Sequence, residues 1–167
     1  MTASISYEFR RAGTADVPLI DGWLRLPHVA QWWGPEARFD AGKLADPRQD
    51  VRIVTLGDRE IGYMQDYDPH GWEAHPFAGL PPGARGVDQF IGPADMLGQG
   101  HGSRFIAQRM AALFAGGAPA IGTDPHPDNA RAIAAYRKAG FAVAGAAAEG
   151  PWGRYLPMVA LKPGAAG

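Results

Sequence analysis

Three glycines at alternate positions stand just before a helical segment, and this arrangement constrains the fold more than any other stretch. They are Gly98, Gly100 and Gly102 in MLGQGHGS, and RFIAQRMAALF follows with helical spacing of its apolar residues. The first turn of a helix presents unpaired N–H groups and the positive end of the helix dipole. Because glycine has no side chain, a phosphate can approach these backbone groups closely. The pattern predicts a pyrophosphate site; a flexible entry loop is the alternative.

Two well-known phosphate motifs do not describe this loop. The chain has no GxxxxGK[ST] segment, so it is not a P-loop protein. A dinucleotide-binding fingerprint belongs to an early βαβ unit, whereas this loop comes late and follows a predicted antiparallel hairpin. What remains is a phosphate-bearing ligand that is held without a metal.

The periodicity of the remaining segments predicts one α/β domain over residues 1–167, with a flexible tail over about 162–167. The predicted order is β-α-α-β-β-β-α-β-α-β-β, a mostly antiparallel sheet with a parallel pair in the middle. The segments are, in order, SYEFRRA, TADVPLIDGWLRL, HVAQWWG, the hairpin DVRIVTLGDREIGYMQDYD, RGVDQFIG, the helix over about 100–114, PAIGTD, PDNARAIAAYRKAG, FAVAGAAAE and GRYLPMVAL.

Composition excludes several classes of protein. The chain has no cysteine, so it has neither disulfides nor a cysteine nucleophile, and its five scattered histidines do not suggest a metal site. A net charge of −1 provides no basic surface for nucleic acid. No apolar run approaches the roughly 18 residues of a membrane span, and the first residues lack the apolar core of a signal peptide. We therefore expect a cytoplasmic protein with no membrane or nucleic-acid partner.

Two aspartates and a tryptophan pair are candidate site residues. Asp88 lies on an otherwise apolar strand, where a half-buried acid costs free energy unless it has a partner. Asp124 ends the next strand, so both carboxylates are expected near one rim of the sheet; a helix-entry cap is the alternative for Asp124. Trp32 and Trp33 are adjacent and cannot both face one core, so one is expected to line a cleft. An acidic middle and a basic later segment would suit a cationic and an anionic ligand.

The glycine loop and the helix after it resemble the GNAT acyltransferase superfamily, in which a loop [QR]xxGx[GA] binds the pyrophosphate of acetyl-CoA. Leu97 stands here at the first position of that loop. The segment NARAIAAYRKAGF, from Asn129 to Phe141, matches the superfamily pattern N-x-x-A-x-x-x-Y-x-K-x-G-F at every marked residue. The resemblance implies a GNAT fold: a mixed, mostly antiparallel sheet flanked by helices, with a V-shaped opening between the fourth and fifth strands. It also implies acetyl-CoA as cosubstrate and no metal.

A narrower resemblance covers nearly the whole chain. The segments HVAQWWG, IGYMQDY, RGVDQFIG, GQGHG and YLPMV are similar to those of the aminoglycoside 6′-N-acetyltransferases. This implies acetylation of the 6′-amine of an antibiotic sugar, which confers resistance. Siderophore N-hydroxylysine acyltransferases share the WW segment but carry a histidine in the fourth-strand region, where this chain offers Asp88. Acylation of another small amine, and a GNAT-shaped module that binds CoA or an aminoglycoside without catalysis, are further alternatives.

The resemblance also implies the site residues. Asp88 would be the catalytic base or the holder of the ammonium, and Tyr136 would protonate the departing thiolate; a core tyrosine is the alternative. We expect the cofactor to contact Gln89, Phe90, Ile91, Gly98, Gln99, Gly100, His101, Gly102, Ser103, Asn129 and Tyr136. We expect a cationic aminoglycoside to contact Trp33, Gln65, Asp66, Trp72, Glu73, Asp88 and Asp124. The protein would be a monomer or a homodimer.

Overall fold

A computed structural model describes residues 3–164, in which the main sheet has seven strands in the order β1-β2-β3-β4-β5-β9-β6. The first four strands form an antiparallel meander, in which β2 and β3 are the predicted hairpin. They are β1 (Glu8–Arg11), β2 (Gln49–Leu56), β3 (Arg59–Tyr67) and β4 (Arg85–Ile91). The others are β5 (Ala120–Thr123), β6 (Ala142–Val143) and β9 (Met158–Leu161), while β7 (Ala148–Gly150) and β8 (Gly153–Tyr155) form a separate hairpin.

Helices cover both faces of the sheet. Two apolar clusters fill the space beneath them, because the strands alternate their side chains between the two faces. The helices are α1 (Val17–Leu24), α2 (Pro27–Trp33), α3 (Ala41–Leu44), α4 (His101–Ala115) and α5 (Ala130–Ala139). Residues of α1 and α2 pack with Tyr63 and Phe90 on one face, and residues of α4 and α5 pack with Met64 and Val87 on the other.

The only parallel strand pair among the described residues, β4 with β5, separates after two residues. Arg85 pairs with Ile121 and Gly86 with Gly122, and beyond them the strands share no further backbone pairing. At the point of separation the Thr123 hydroxyl donates to the Val87 carbonyl over 2.9 Å. The predicted GNAT fold and its V-shaped opening between the fourth and fifth strands are confirmed.

Several local predictions need correction. The segments FAVAGAAAE and GRYLPMVAL each contain two short strands instead of one. In the second segment Leu156 and Pro157 separate β8, which pairs with β7, from β9, which pairs with β5 and β6. Pro157 has no N–H to donate to a strand pairing. Helix α3 was not predicted, and Thr14 does not cap α1: a 3-10 turn, Thr14–Asp16, precedes α1, and the Asp16 carboxylate accepts the Gly13 N–H.

The ends of the described chain bear on two further expectations. At the start of the predicted tail, the Lys162 N–H donates to the Pro119 carbonyl over 3.0 Å. Residues 165–167 lie outside the described residues, so the tail stays a prediction. Within residues 3–164, no helix is both long enough and apolar enough to cross a membrane.

Candidate active site

A cavity of about 1460 Å³ occupies the opening between β4 and β5. Its volume exceeds the roughly 300–1,000 Å³ typical of a single small-molecule site, so it can hold two substrates. Most of the predicted site residues line it: Trp33, Gln65, Trp72, Glu73, Asp88, Gln89, Phe90, Ile91, Gly98, Gly100, Gly102, Ser103, Asp124, Asn129 and Tyr136. Asp66, Gln99 and His101 do not line it.

Asp66 was expected to bind substrate, but it lies on the opposite face of the sheet. Its neighbour Gln65 points into the cavity, and successive side chains of a strand point to opposite faces. Asp66 is 3% exposed, and its carboxylate accepts from Arg85 and Arg109 over 2.8 Å each. The expectation for Asp66 is therefore wrong, because this carboxylate belongs to a buried ion-pair network behind the site.

Two loop side chains point away from the cavity as well. The Gln99 amide donates to the Asp95 carbonyl. The His101 ring is 6% exposed, and the Tyr7 hydroxyl lies 2.8 Å from its Nδ1. The side chains of Gln99 and His101 therefore do not serve the cavity, and only the backbone N–H groups of these two residues could bind an anion there.

The glycine loop owes its conformation to two residues in the left-handed region. Gly98 has φ +73° and Gly100 has φ +81°, and Gly100 is the N-cap of α4. Residues other than glycine rarely adopt these backbone angles, so this loop conformation requires glycine at both positions. Arg104 extends across the loop and donates to the Gln99 carbonyl over 3.1 Å. The loop thus delivers the unpaired N–H groups of α4 to the cavity.

Asp88 and Asp124 lie side by side in the cavity. Gln65 Nε2 donates to Asp88 Oδ2 over 2.8 Å, and the two carboxyl groups are within hydrogen-bonding reach of each other. Burial raises the pKa of both aspartates, and the negative charge of Asp88 raises the pKa of Asp124 further. Two desolvated carboxylates in contact cannot both ionise cheaply, so the pair favours a state in which one proton remains bound.

Tyr136 faces the same region from α5. Its hydroxyl accepts a hydrogen bond from Gln89 Nε2 over 3.4 Å. Burial and the negative charge of Asp88 raise the pKa of Tyr136 above its usual range. The hydroxyl therefore keeps its proton at neutral pH and can donate a hydrogen bond to a group in the cavity that develops negative charge.

The backbone of β4 has free groups along the opening. Successive residues of a strand direct their N–H and C=O groups to opposite sides. The carbonyls of Val87 and Ile91 point to the β5 side, where they contact Thr123 and His28 respectively. Gln89 lies midway between them, so its N–H and C=O also face the opening, where β5 has already separated. An extended ligand with amide groups can pair there as an added strand.

Aromatic side chains form the other walls. Trp33 was expected to be the tryptophan in the cleft, but both tryptophans of the pair line the cavity. Trp33 also packs edge-on against Tyr63 and Phe90, with ring centroids 5.8 and 5.3 Å away. Trp32 lies 5.6 Å from the ring of His126. Both neighbouring tryptophans therefore form part of the cavity wall. Trp33 is half-buried at the edge of the cavity.

Several residues that line the cavity were not predicted as site residues: Trp32, His75, Thr123, His126, Arg131, Lys138 and Trp152. Thr123 directly precedes Asp124 at the end of a strand, so its position in the sequence could have indicated that it lies near the site. Trp152 lies in the turn between β7 and β8. The sequence analysis predicted one strand in each of the two segments that contain these strands, so it did not predict this hairpin. Among the described residues, no group of three or more His, Asp or Glu side chains is arranged to hold a metal ion.

Comparisons with known proteins agree with this geometry. The acetyltransferase (GNAT) domain family matches residues 13–148. An aminoglycoside N(6′)-acetyltransferase type 1 of Klebsiella pneumoniae is 33% identical over 142 residues, which cover 75% of this chain and 69% of that protein. A crystal structure of the aminoglycoside acetyltransferase AAC(6′)-Ib with coenzyme A and kanamycin has a TM-score of 0.84. The two sequences are 30% identical, and the matched region covers 94% of this chain and 95% of the chain in that crystal structure.

Proposed function

The chain belongs to the GNAT acetyltransferase family, and we propose that it transfers the acetyl group of acetyl-CoA to the 6′-amine of an aminoglycoside, which confers resistance. One observation carries the proposal: a single cavity joins the glycine-lined mouth of α4 to the half-buried Asp88–Asp124 pair. The first feature suits a diphosphate, and the second suits an ammonium group.

In the proposed complex, the diphosphate of acetyl-CoA binds the backbone amides from Gly98 to Gly102, where the α4 dipole favours negative charge. The pantetheine arm enters the opening between β4 and β5 and pairs with the backbone of Gln89. Asn129 Oδ1 accepts the Ala132 N–H over 3.2 Å, which caps α5 and leaves the side-chain amide of Asn129 free for pantetheine. This course brings the thioester to Tyr136 and Asp88.

The acceptor occupies the other half of the cavity. Its reacting ammonium lies at Asp88 and Asp124, whose ionisation a cation favours because opposite charge offsets their desolvation. Glu73 and Gln65 line the same region and provide acceptors for further amino groups. Trp33 and Trp72 provide flat faces for the sugar rings. These contacts are the basis for proposing a polycationic amino sugar.

The reaction proceeds by direct transfer. Asp88 accepts a proton from the ammonium, directly or through water, and the free amine nitrogen bonds to the thioester carbonyl carbon. The carbon–sulfur bond then breaks, and the sulfur takes a proton from the Tyr136 hydroxyl. Tyr136 regains a proton from the newly acylated nitrogen, and Asp88 releases its proton to solvent. Holding both substrates in one cavity supplies the proximity that such a transfer needs.

The test measures thiol release from acetyl-CoA with pairs of aminoglycosides that carry either an amine or a hydroxyl at the 6′ position. We expect release with the 6′-amine members, and a product one acetyl group heavier with the modification at that nitrogen. Release with hydroxylamines alone would favour the siderophore-type reaction. Binding without turnover would favour a non-catalytic module, and either result would overturn the proposal.

A further inference from the structure

The exposed indole of Trp152 lies at the acceptor end of the cavity. Trp152 is in the turn of the β7–β8 hairpin, outside the main sheet, and it is 53% exposed although it is one of the largest apolar side chains. It lines the cavity beside Asp124, Trp72 and His75. A half-exposed tryptophan at the edge of a cavity presents apolar surface that a ligand can cover.

The ring of Trp152 rests on a firmly held partner. Its centroid lies 5.3 Å from the ring of His75, at an interplanar angle of 36°. His75 is 9% exposed, and its Nδ1 accepts the Phe77 N–H over 3.1 Å, which fixes the orientation of the imidazole. On its other side His75 contacts Tyr67, with ring centroids 5.3 Å apart. The hairpin is thereby joined to the loop after β3 across the cavity.

Trp152 also reaches the carboxyl pair. Its indole N–H, the only donor of the side chain, interacts favourably with the Asp124 carboxyl and offsets part of the rise in the pKa of that group. The ring therefore packs against His75 and stands close to Asp124 at the acceptor end of the cavity. One side of the ring is left against the space where an ammonium at Asp88 and Asp124 would be bound.

We infer that Trp152 is a specificity-determining residue of the acceptor site, whose ring forms an apolar wall that selects amines carried on a saturated sugar ring over flexible linear polyamines. The inference rests on the proposed function. A sugar ring presents a rigid C–H face to the indole while its amine reaches the carboxylates. A linear polyamine can satisfy the carboxylates but pays more conformational entropy to lie along the wall.

The experiment compares Trp152→Ala and Trp152→Phe with wild type, with kanamycin as the ring acceptor and spermidine as a competing linear polycation. In Trp152→Ala we expect the KM for kanamycin to rise about tenfold, which corresponds to about 1.4 kcal/mol of lost binding. The KM for acetyl-CoA and the Ki for spermidine should stay within about twofold. Trp152→Phe keeps an aromatic wall, so its KM for kanamycin should rise less than that of the alanine variant.

The control variant is Leu161→Ala, which removes an apolar side chain that is 70% exposed and does not line the cavity. Its kinetic constants should match those of wild type. An unchanged KM for kanamycin in Trp152→Ala, or equal increases for kanamycin, spermidine and acetyl-CoA, would overturn the inference alone. If wild type acetylates neither kanamycin nor any other 6′-amino aminoglycoside, the proposed function falls, and the role of Trp152 falls with it.

Discussion

Replacing Asp88 by asparagine tests the proposed base with little change in shape. The substitution keeps the size of the side chain and its ability to bond with Gln65, whose amide lies 2.8 Å from Asp88 Oδ2. It removes the one property that the mechanism requires, which is the ability to accept a proton from the acceptor ammonium. It also removes one of the two charges that would hold the ammonium beside Tyr136.

The size of the effect follows from the role assigned to Asp88. General bases contribute about 10²–10⁴-fold to a rate, and each factor of ten corresponds to about 1.4 kcal/mol. Asp124 stays in place and can still bind the ammonium, so the loss need not reach the upper end. We expect kcat/KM to fall at least tenfold in Asp88→Asn, at a cost of about 1.4 kcal/mol or more. The deficit should shrink as pH rises, because more of the acceptor amine is then already deprotonated.

Asp88→Asn should lower the activity, but at mildly alkaline pH it should not lower the free energy of unfolding. Burial raises the pKa of Asp88 and Asp124, so above the ordinary carboxyl pKa the folded protein binds more protons than the unfolded chain. The free energy of unfolding therefore decreases as pH rises through this window, up to the raised pKa values. Asp88→Asn removes one desolvated carboxylate, so its free energy of unfolding should decrease less steeply with pH. At mildly alkaline pH the variant should be as stable as wild type or more stable.

The assay measures kcat/KM and thermal unfolding at neutral pH and about two units higher. The matched control is Asp58→Asn, which removes an exposed carboxylate at the turn between β2 and β3. Unchanged kinetics in Asp88→Asn would remove Asp88 from the mechanism. A parallel loss of activity and stability would show that the carboxylate supports the fold and does not serve as the base.

Three further substitutions test other parts of the site and its support. Tyr136→Phe should lower kcat about tenfold with little change in either KM, because it removes the proposed proton donor; a wild-type kcat would contradict that role. Gly100→Ala should raise the KM for acetyl-CoA and lower the free energy of unfolding by about 1–2 kcal/mol, because Gly100 has φ +81°; a wild-type KM would argue against a phosphate site there. Asp66→Asn should cost about 3 kcal/mol in chemical denaturation, because it leaves Arg85 and Arg109 without their shared carboxylate; an unchanged midpoint would show the network to be dispensable.

The features that the sequence predicted well are those that depend on local chemistry. The alternating glycines need no tertiary information to indicate a helix mouth, and Gly98 and Gly100 indeed adopt positive φ. The hairpin of β2 and β3 was likewise evident from two runs of β-favouring residues joined by a Gly-Asp turn. Asp88 was identifiable because a carboxylate among apolar strand residues has few structural explanations.

The errors arose where position in space depends on strand register or on distant segments. Gln65 and Asp66 were both assigned to the substrate, although adjacent strand residues face opposite sides. Applying the alternation of strand side chains between the two faces of the sheet would have assigned only one of these two residues to the substrate site. No local pattern announces Trp152, because its place beside His75 depends on how a two-stranded hairpin folds over the end of the sheet. Long-range contacts of this kind carry no signal within a single segment.

The carboxyl pair connects the energetics of the fold to the choice of substrate. In the free protein Asp88 and Asp124 are half-buried together, with raised pKa values and one amide donor from Gln65. A polycationic acceptor relieves this unfavourable arrangement, because its ammonium both neutralises the pair and supplies the proton that Asp88 is to accept. A hydroxylamine is neutral near pH 7 and provides no such relief. In the proposed reaction, the same desolvation that lowers the stability of the free protein thus favours an amine over a hydroxylamine as the acceptor.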